Sequence, residues 1–170
     1  RQRQMCIRDR GNDYLYGDYE HDLNEHGDDE LYGNEGDDII RGEGGDDVIY
    51  GGSGNDNLEG DGPGATRDNQ SGKDTIYGED GEDTIWGHEG DDVIYGGSGN
   101  DYIDGGSGID TVTYTGYEND YLVTGNNGDY IVEDLRYNSP DGKDRLFDIE
   151  IINFLNQDSK IELTDLEAYN

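Results

Sequence analysis

Along most of this chain an aliphatic residue returns every ninth position, flanked by polar or aromatic residues and preceded by a glycine-rich, acidic run. Consecutive blocks read GNEGDDIIR from Gly33, GEGGDDVIY from Gly42, GGSGNDNLE from Gly51, GEDGEDTIW from Gly78, GHEGDDVIY from Gly87, GGSGNDYID from Gly96 and GGSGIDTVT from Gly105. Three more units fit if a truncated start and two loops are admitted: one ending GNDYLY at Tyr16, one from Gly17 that closes HGDDELY at Tyr32, and one from Gly60 that closes SGKDTIY at Tyr77. In this register the fourth position is always glycine, the sixth always aspartate, and the eighth always aliphatic, from Leu15 through Ile49 and Ile85 to Val112. A short fixed period of this kind is the signature of a stacked repeat architecture, in which one unit cannot bury its apolar residue alone.

The pattern predicts a tight turn over the first six positions and a short strand over the last three. Glycine reaches positive φ and tolerates close backbone approach, so the first half can curl with its carbonyls facing inward. Ile40, Ile49, Ile76, Ile85, Ile94 and Ile103 then stack as a thin core. The segments near 18–26 and 60–71 read as loops; GDGPGATRDNQS, from Gly60, interrupts one unit rather than forming a turn of its own. Read as a full turn, it would put Pro63, Ala65 and Arg67 in the glycine, aspartate and aliphatic places, and none suits its role. After Thr113 the period stops. YLVT at 121–124, YIVED at 130–134, IEIINF at 149–154 and KIEL at 160–163 predict an antiparallel cap over 114–170, which covers strand edges that a bare solenoid would expose.

Composition sharpens this picture. Only 29% of the residues are hydrophobic, and 11 Lys and Arg against 43 Asp and Glu give a formal charge of −32. The acid is concentrated: residues 11–113 hold 29 acidic side chains against Arg41, Arg67 and Lys73. Such a surface repels phosphate backbones and anionic lipid, so nucleic acid and membranes are excluded as partners and cations are favoured. No apolar run is long enough for a membrane span, and the start RQRQMCIRDR has no apolar region of a cleaved signal. Residues 1–10, with four arginines and the only Cys and Met, resemble translated adapter read-through at the end of an assembled sequence. They are expected to be a non-native or disordered leader, with the natural protein extending further upstream. With Cys6 set aside, neither disulfides nor a thiolate metal site is available.

The repeat Gly-Gly-x-Gly-x-Asp-x-aliphatic-x over 11–113 resembles the repeats-in-toxin family. The resemblance implies an all-β, right-handed parallel β-roll with two units per coil and Ca2+ held between vertically adjacent turns. The implied ligands are the sixth-position carboxylates Asp29, Asp38, Asp47, Asp56, Asp74, Asp83, Asp92, Asp101 and Asp110, with carbonyls of the turns that open at Gly33, Gly42, Gly51, Gly78, Gly87, Gly96 and Gly105. Calcium accepts about six to eight oxygens at roughly 2.3–2.6 Å, which a mixed carboxylate and carbonyl set can supply, whereas magnesium demands a stricter octahedron. In a roll the stacked carboxylates lie two units apart, as Asp38 and Asp56 or Asp92 and Asp110. Across the insert, Asp47 is expected to face Asp74 and Asp56 to face Asp83. Ten units leave at most eight gaps. The stretch from Asp141 to Phe154 resembles the segment that flanks the repeats in this family.

Three functions compete. The family resemblance implies calcium-driven folding of a protein exported through a type I secretion channel and active outside the cell. The ninth-position aromatics Tyr16, Tyr32, Tyr50, Tyr77, Trp86 and Tyr95 offer instead an adhesive or carbohydrate-binding surface, with cross-strand stacking as the plainer role. The segment is also readable as the tail of a secreted hydrolase. No nucleophile–base pairing, HExxH or phosphate-binding loop is present, so no catalysis is expected within these residues. His21, His26 and His88 are expected to be solvated rather than zinc ligands.

Overall fold

The computed structural model describes residues 5–7, 10–18, 27–62, 71–156 and 159–163. Successive units feed two parallel sheets in alternation. One sheet runs β1 (Met5–Ile7), β3 (Glu30–Glu35), β5 (Val48–Ser53), β7 (Thr75–Asp80), β9 (Val93–Ser98), β11 (Thr111–Tyr114), β15 (Ile151–Phe154) and β16 (Ser159–Glu162). The other runs β2 (Tyr14–Tyr16), β4 (Ile39–Glu43), β6 (Asn57–Asp61), β8 (Thr84–Glu89), β10 (Tyr102–Ser107), β14 (Lys143–Phe147), β13 (Asp129–Asp134) and β12 (Tyr121–Asn126). This is the expected all-β parallel roll.

Register follows the aliphatic position. Leu31 lies beside Ile49, Ile49 beside Ile76 and Ile76 beside Ile94 in one sheet, and Ile40, Leu58, Ile85 and Ile103 line up in the other. These side chains are fully buried and form one core, a single file from each sheet. Leu58 pairs with Ile85 and Ile49 with Ile76, so residues 60–71 interrupt a unit without adding a turn. Pro63, Ala65 and Arg67 lie outside the described residues, as do His21 and His26.

The strands run on past the three positions expected of them. Pairing continues through the third position of the next unit, as Asn34 with Gly52 and Ser53 with Asp80. Only the fourth to sixth positions remain as open turn. The backbone bends at the second position, where Asn34, Glu43, Glu79 and His88 hold φ of 76–79° and Gly52, Gly97 and Gly106 hold 92–116°. Stacked copies of the same bend still present N–H and C=O groups to each other, so the ladder survives it.

Two further differences concern the ends. Met5–Ile7, set aside as leader, takes a parallel place beside β3, with Cys6 opposite Leu31. The parallel stack also does not stop at Thr113. The antiparallel cap exists, as β12–β13–β14 and β15–β16. However, β14 is also parallel to β10, with Leu146 beside Ile103, and β15 is parallel to β11, with Ile152 beside Val112. Residues 139–147 therefore form one more unit, SPDGKDRLF, whose fourth, sixth and eighth positions are Gly142, Asp144 and Leu146. The hairpin β12–β13 separates it from the others. Arg136 ties the hairpin down through Asp134 at 2.8 Å and Asp141 at 2.7 Å.

Outside the core, Tyr32, Tyr50, Tyr77 and Tyr95 form a ladder on one sheet, with ring centroids 4.6–4.8 Å apart and planes within 13° of parallel. The interior rings are covered on both faces by their neighbours, so the ladder strengthens strand pairing and leaves ring edges, not a flat platform, to solvent. Tyr16 and Trp86 lie on the other sheet, where the ninth-position column also contains Arg41 and Glu59, paired at 3.0 Å. His88 is half-buried with its Nε2 3.8 Å from Glu59.

Candidate metal sites between the turns

Each sixth-position aspartate starts a strand at the inner edge of its turn, and all nine candidates are at most 2% exposed. Their carboxylates stack vertically. Oδ1 of Asp56 accepts the N–H of Asp38 at 2.8 Å, and Asp74, Asp92, Asp101 and Asp110 do the same for Asp47, Asp74, Asp83 and Asp92 at 2.8–2.9 Å. Asp47 takes the N–H of Asp29 at 2.7 Å. Across the insert, Asp83 takes that of Asp56 at 2.8 Å, which is the expected pairing.

The second oxygens are the informative ones. Oδ2 of Asp38, Asp47, Asp56, Asp74, Asp83, Asp92, Asp101 and Asp110 is buried with no hydrogen-bond partner among the described residues. A buried polar group without a partner costs about 1–3 kcal/mol, and more when charged. Burial, with repulsion between neighbouring carboxylates, pushes these groups above the ordinary carboxylate range, although each accepts a backbone N–H that pulls it down. Asp74 rises to about 9, Asp47 to about 8, and Asp56, Asp83 and Asp110 to about 7. Asp92 and Asp101 reach about 6. Protein groups alone do not satisfy these anions.

What faces them is carbonyl oxygen. A Cβ on Gly33 would stand closer than 3.0 Å to both Asp38 Oδ2 and the carbonyl of Gly51, the first residue of the next turn in the stack. A Cβ on Gly54 would meet the carbonyl of Gly36 from the turn before. The gap between these turns is thus lined by oxygens from both, and glycine is needed to leave it open. The same combination of Asp Oδ2 and a next-turn glycine carbonyl recurs at Gly17, Gly42, Gly51, Gly60, Gly78 and Gly87, which makes seven gaps with Gly33. At Gly105 the carbonyl comes from Asp148 instead, beside Asp110 Oδ2. At Gly96 only Asp101 Oδ2 is near, with Ile103 in the place of a carbonyl.

The described residues contain no group of three or more His, Cys, Asp or Glu side chains that could hold a metal. Each gap instead offers carboxylate and main-chain oxygen with no nitrogen or sulfur, the donor set of a hard cation such as calcium. The sixth-position aspartates and turn glycines are thus brought together at the same gaps. Asp144 and Glu150 were not anticipated. Asp144 extends one stack, its Oδ1 accepting the N–H of Asp101 at 3.0 Å, but its Oδ2 is occupied by the Tyr114 hydroxyl at 2.8 Å. Glu150 extends the other, accepting the N–H of Asp110 at 2.8 Å. Gly142, Asp144 and Leu146 were readable as a repeat signal, but the preceding positions lack glycine.

Fold and gaps together define a cation-binding parallel β-roll. The family model for the RTX calcium-binding nonapeptide repeat (4 copies) matches residues 27–58, 70–93 and 77–112, so the repeat tract is built of RTX calcium-binding repeats. No curated protein matches the chain. Among the described residues, no helix is long and apolar enough to cross a membrane.

Proposed function

We propose that this segment is a calcium-triggered folding module of an exported bacterial protein: extended while calcium is scarce, and assembled into the roll where calcium is plentiful. The observation that carries this reading is the set of eight buried Oδ2 atoms of the repeat aspartates with no hydrogen-bond partner among the described residues. An ion bound in each gap supplies the positive charge that makes their burial favourable. Asp38, Gly36 and Gly51 would hold one such ion, and Asp92, Gly90 and Gly105 another. Each gap joins oxygens from turns that are remote in sequence, so binding and folding are linked, as in other metal-dependent small folds. Binding to the folded state alone stabilises it by RT ln(1 + [Ca]/Kd) per site, and weak sites add. On this reading the roll holds about eight ions, one in each gap that has both oxygen types.

Export through a type I channel into the extracellular space fits a chain that remains unfolded inside the cell, and RTX repeats are typical of secreted proteins. The segment's role is to bind ions and fold rather than to catalyse. The tyrosine ladder gives the adhesive alternative little support, because its ring faces are spent on one another. Far-UV circular dichroism during a calcium titration of the full chain tests the reading. A cooperative gain of β structure is expected, with magnesium a poor substitute, and a spectrum already fully β without calcium would overturn it.

A further inference from the structure

Within the repeat tract, Asp61 is a buried carboxylate outside the glycine, aspartate and aliphatic positions of the motif. It is the second residue of the unit that opens at Gly60, and it is 0% exposed. In the seven uninterrupted units the second position bends through positive φ, but Asp61 does not. Its unit is interrupted: Gly72 follows Gly60 by twelve positions, where Gly54 follows Gly51 by three. Without the bend, Asp61 is buried, whereas Glu79, which takes it, is exposed. Its Oδ2 accepts the N–H of Glu89 from the next turn in the stack at 3.2 Å. Asp61 Oδ1 is buried with no hydrogen-bond partner among the described residues.

This bond places Asp61, itself part of the Gly60 turn, against the turn that opens at Gly87. That gap already offers Asp74 Oδ2 and the Gly87 carbonyl, both closer than 3.0 Å to where a Cβ on Gly60 would stand. The Gly72 carbonyl faces it from the other side, against Gly90. Asp61 Oδ1 is therefore a second unpartnered side-chain oxygen in a gap where the repeat motif supplies only one.

We propose that Asp61 is an additional calcium ligand outside the repeat motif, making the gap between the Gly60 and Gly87 turns the tightest site in its part of the roll. Calcium affinity in all-oxygen sites rises with the number of charged ligands and the rigidity of the site. The unit broken by the insert after Gly62 thus receives the strongest ion of its stack. This inference rests on the calcium reading of the roll.

Isothermal titration of the full chain with calcium, comparing wild type, Asp61→Asn and Glu35→Gln, tests it. The asparagine keeps an oxygen for the Glu89 N–H and replaces the unpartnered Oδ1 by an NH2 group that cannot ligate, while Glu35 is an exposed acid at the end of β3. We expect the tightest binding phase to weaken about tenfold in Asp61→Asn, with stoichiometry unchanged, and to move less than about twofold in Glu35→Gln. Equal weakening in both variants would assign the effect to net charge, and an unchanged first phase in Asp61→Asn would assign Asp61 to the turn alone; either overturns the proposal. An Asp61→Asn chain that does not reach the wild-type circular dichroism spectrum at saturating calcium also overturns it, because the role is then structural. A wild type that binds no calcium refutes the roll reading itself, a distinct outcome.

Discussion

Asp91 and Asp92 carry the same charge side by side, yet the structure gives them opposite weight. Asp92 is 1% exposed; its Oδ1 accepts the Asp74 N–H at 2.8 Å, and its Oδ2 faces the Gly105 carbonyl across the gap at Gly87. Asp91 lies on the surface, paired with Lys73 at 2.5 Å and accepting the Ile109 N–H at 3.1 Å. Asp92→Ala strands the buried Asp74 N–H, at about 1–3 kcal/mol. It also weakens one ion site, which at a hundredfold excess of calcium over Kd is worth about 2.7 kcal/mol. The combined loss is about 4 kcal/mol. Shared over about eight ions that bind in one concerted transition, this raises the calcium midpoint by roughly exp(4/(8 × 0.59)), or about 2.3-fold, and shallows the curve by one ion. Asp91→Ala removes an exposed, salt-screened pair and should leave the midpoint in place. Calcium titrations followed by circular dichroism, run in parallel on the two variants, give the comparison. Equal midpoints would refute the assigned register and the division of labour between fifth and sixth positions.

Two further outcomes are expected. In protein stripped of calcium on a chelating resin, the largely unfolded chain should regain more β structure at pH 5 than at pH 8. The folded-state values of about 9 for Asp74 and about 8 for Asp47 lie above the unfolded 3.8, so the contribution is complete below that value and is lost as pH rises through the folded ones; a far-UV β signal that grows with pH would contradict this. Tyr77→Ala should cost about 1–3 kcal/mol by removing two stacked pairs, lowering the melting temperature of the calcium-loaded protein while calorimetry shows the calcium stoichiometry unchanged.

Most of the roll was legible because two independent patterns share one phase. The aliphatic position sets the register of the strands and the aspartate sets that of the turns, so an insert that breaks one must break the other. This is why the facing of Asp56 with Asp83 could be read across residues 60–71. The additional unit at 139–147 escaped because the β12–β13 hairpin separates it from the tract and it lacks glycine at its first three positions. Asp144 there is stacked like a repeat aspartate, but Tyr114 takes the oxygen that elsewhere faces a gap. The continuation of each strand past the bend, and the inward place of Asp61, depend on contacts between stacked turns that a pattern along one chain does not contain. The place of Met5–Ile7 beside β3 was likewise invisible, since those residues share no motif with the repeats.

The central claim is that calcium and folding are one event. Small-angle scattering of the full chain at pH 7.5, first stripped of calcium and then with millimolar calcium added, tests it most directly. Chain-length scaling gives a radius of gyration of roughly 44 Å for 170 unfolded residues and roughly 16 Å for a compact domain, the elongated roll lying somewhat above the latter. The account predicts a value near the upper figure without calcium, collapsing toward the lower one in a single calcium-dependent transition. A radius already near the lower figure in the stripped protein, unchanged by calcium, would contradict it.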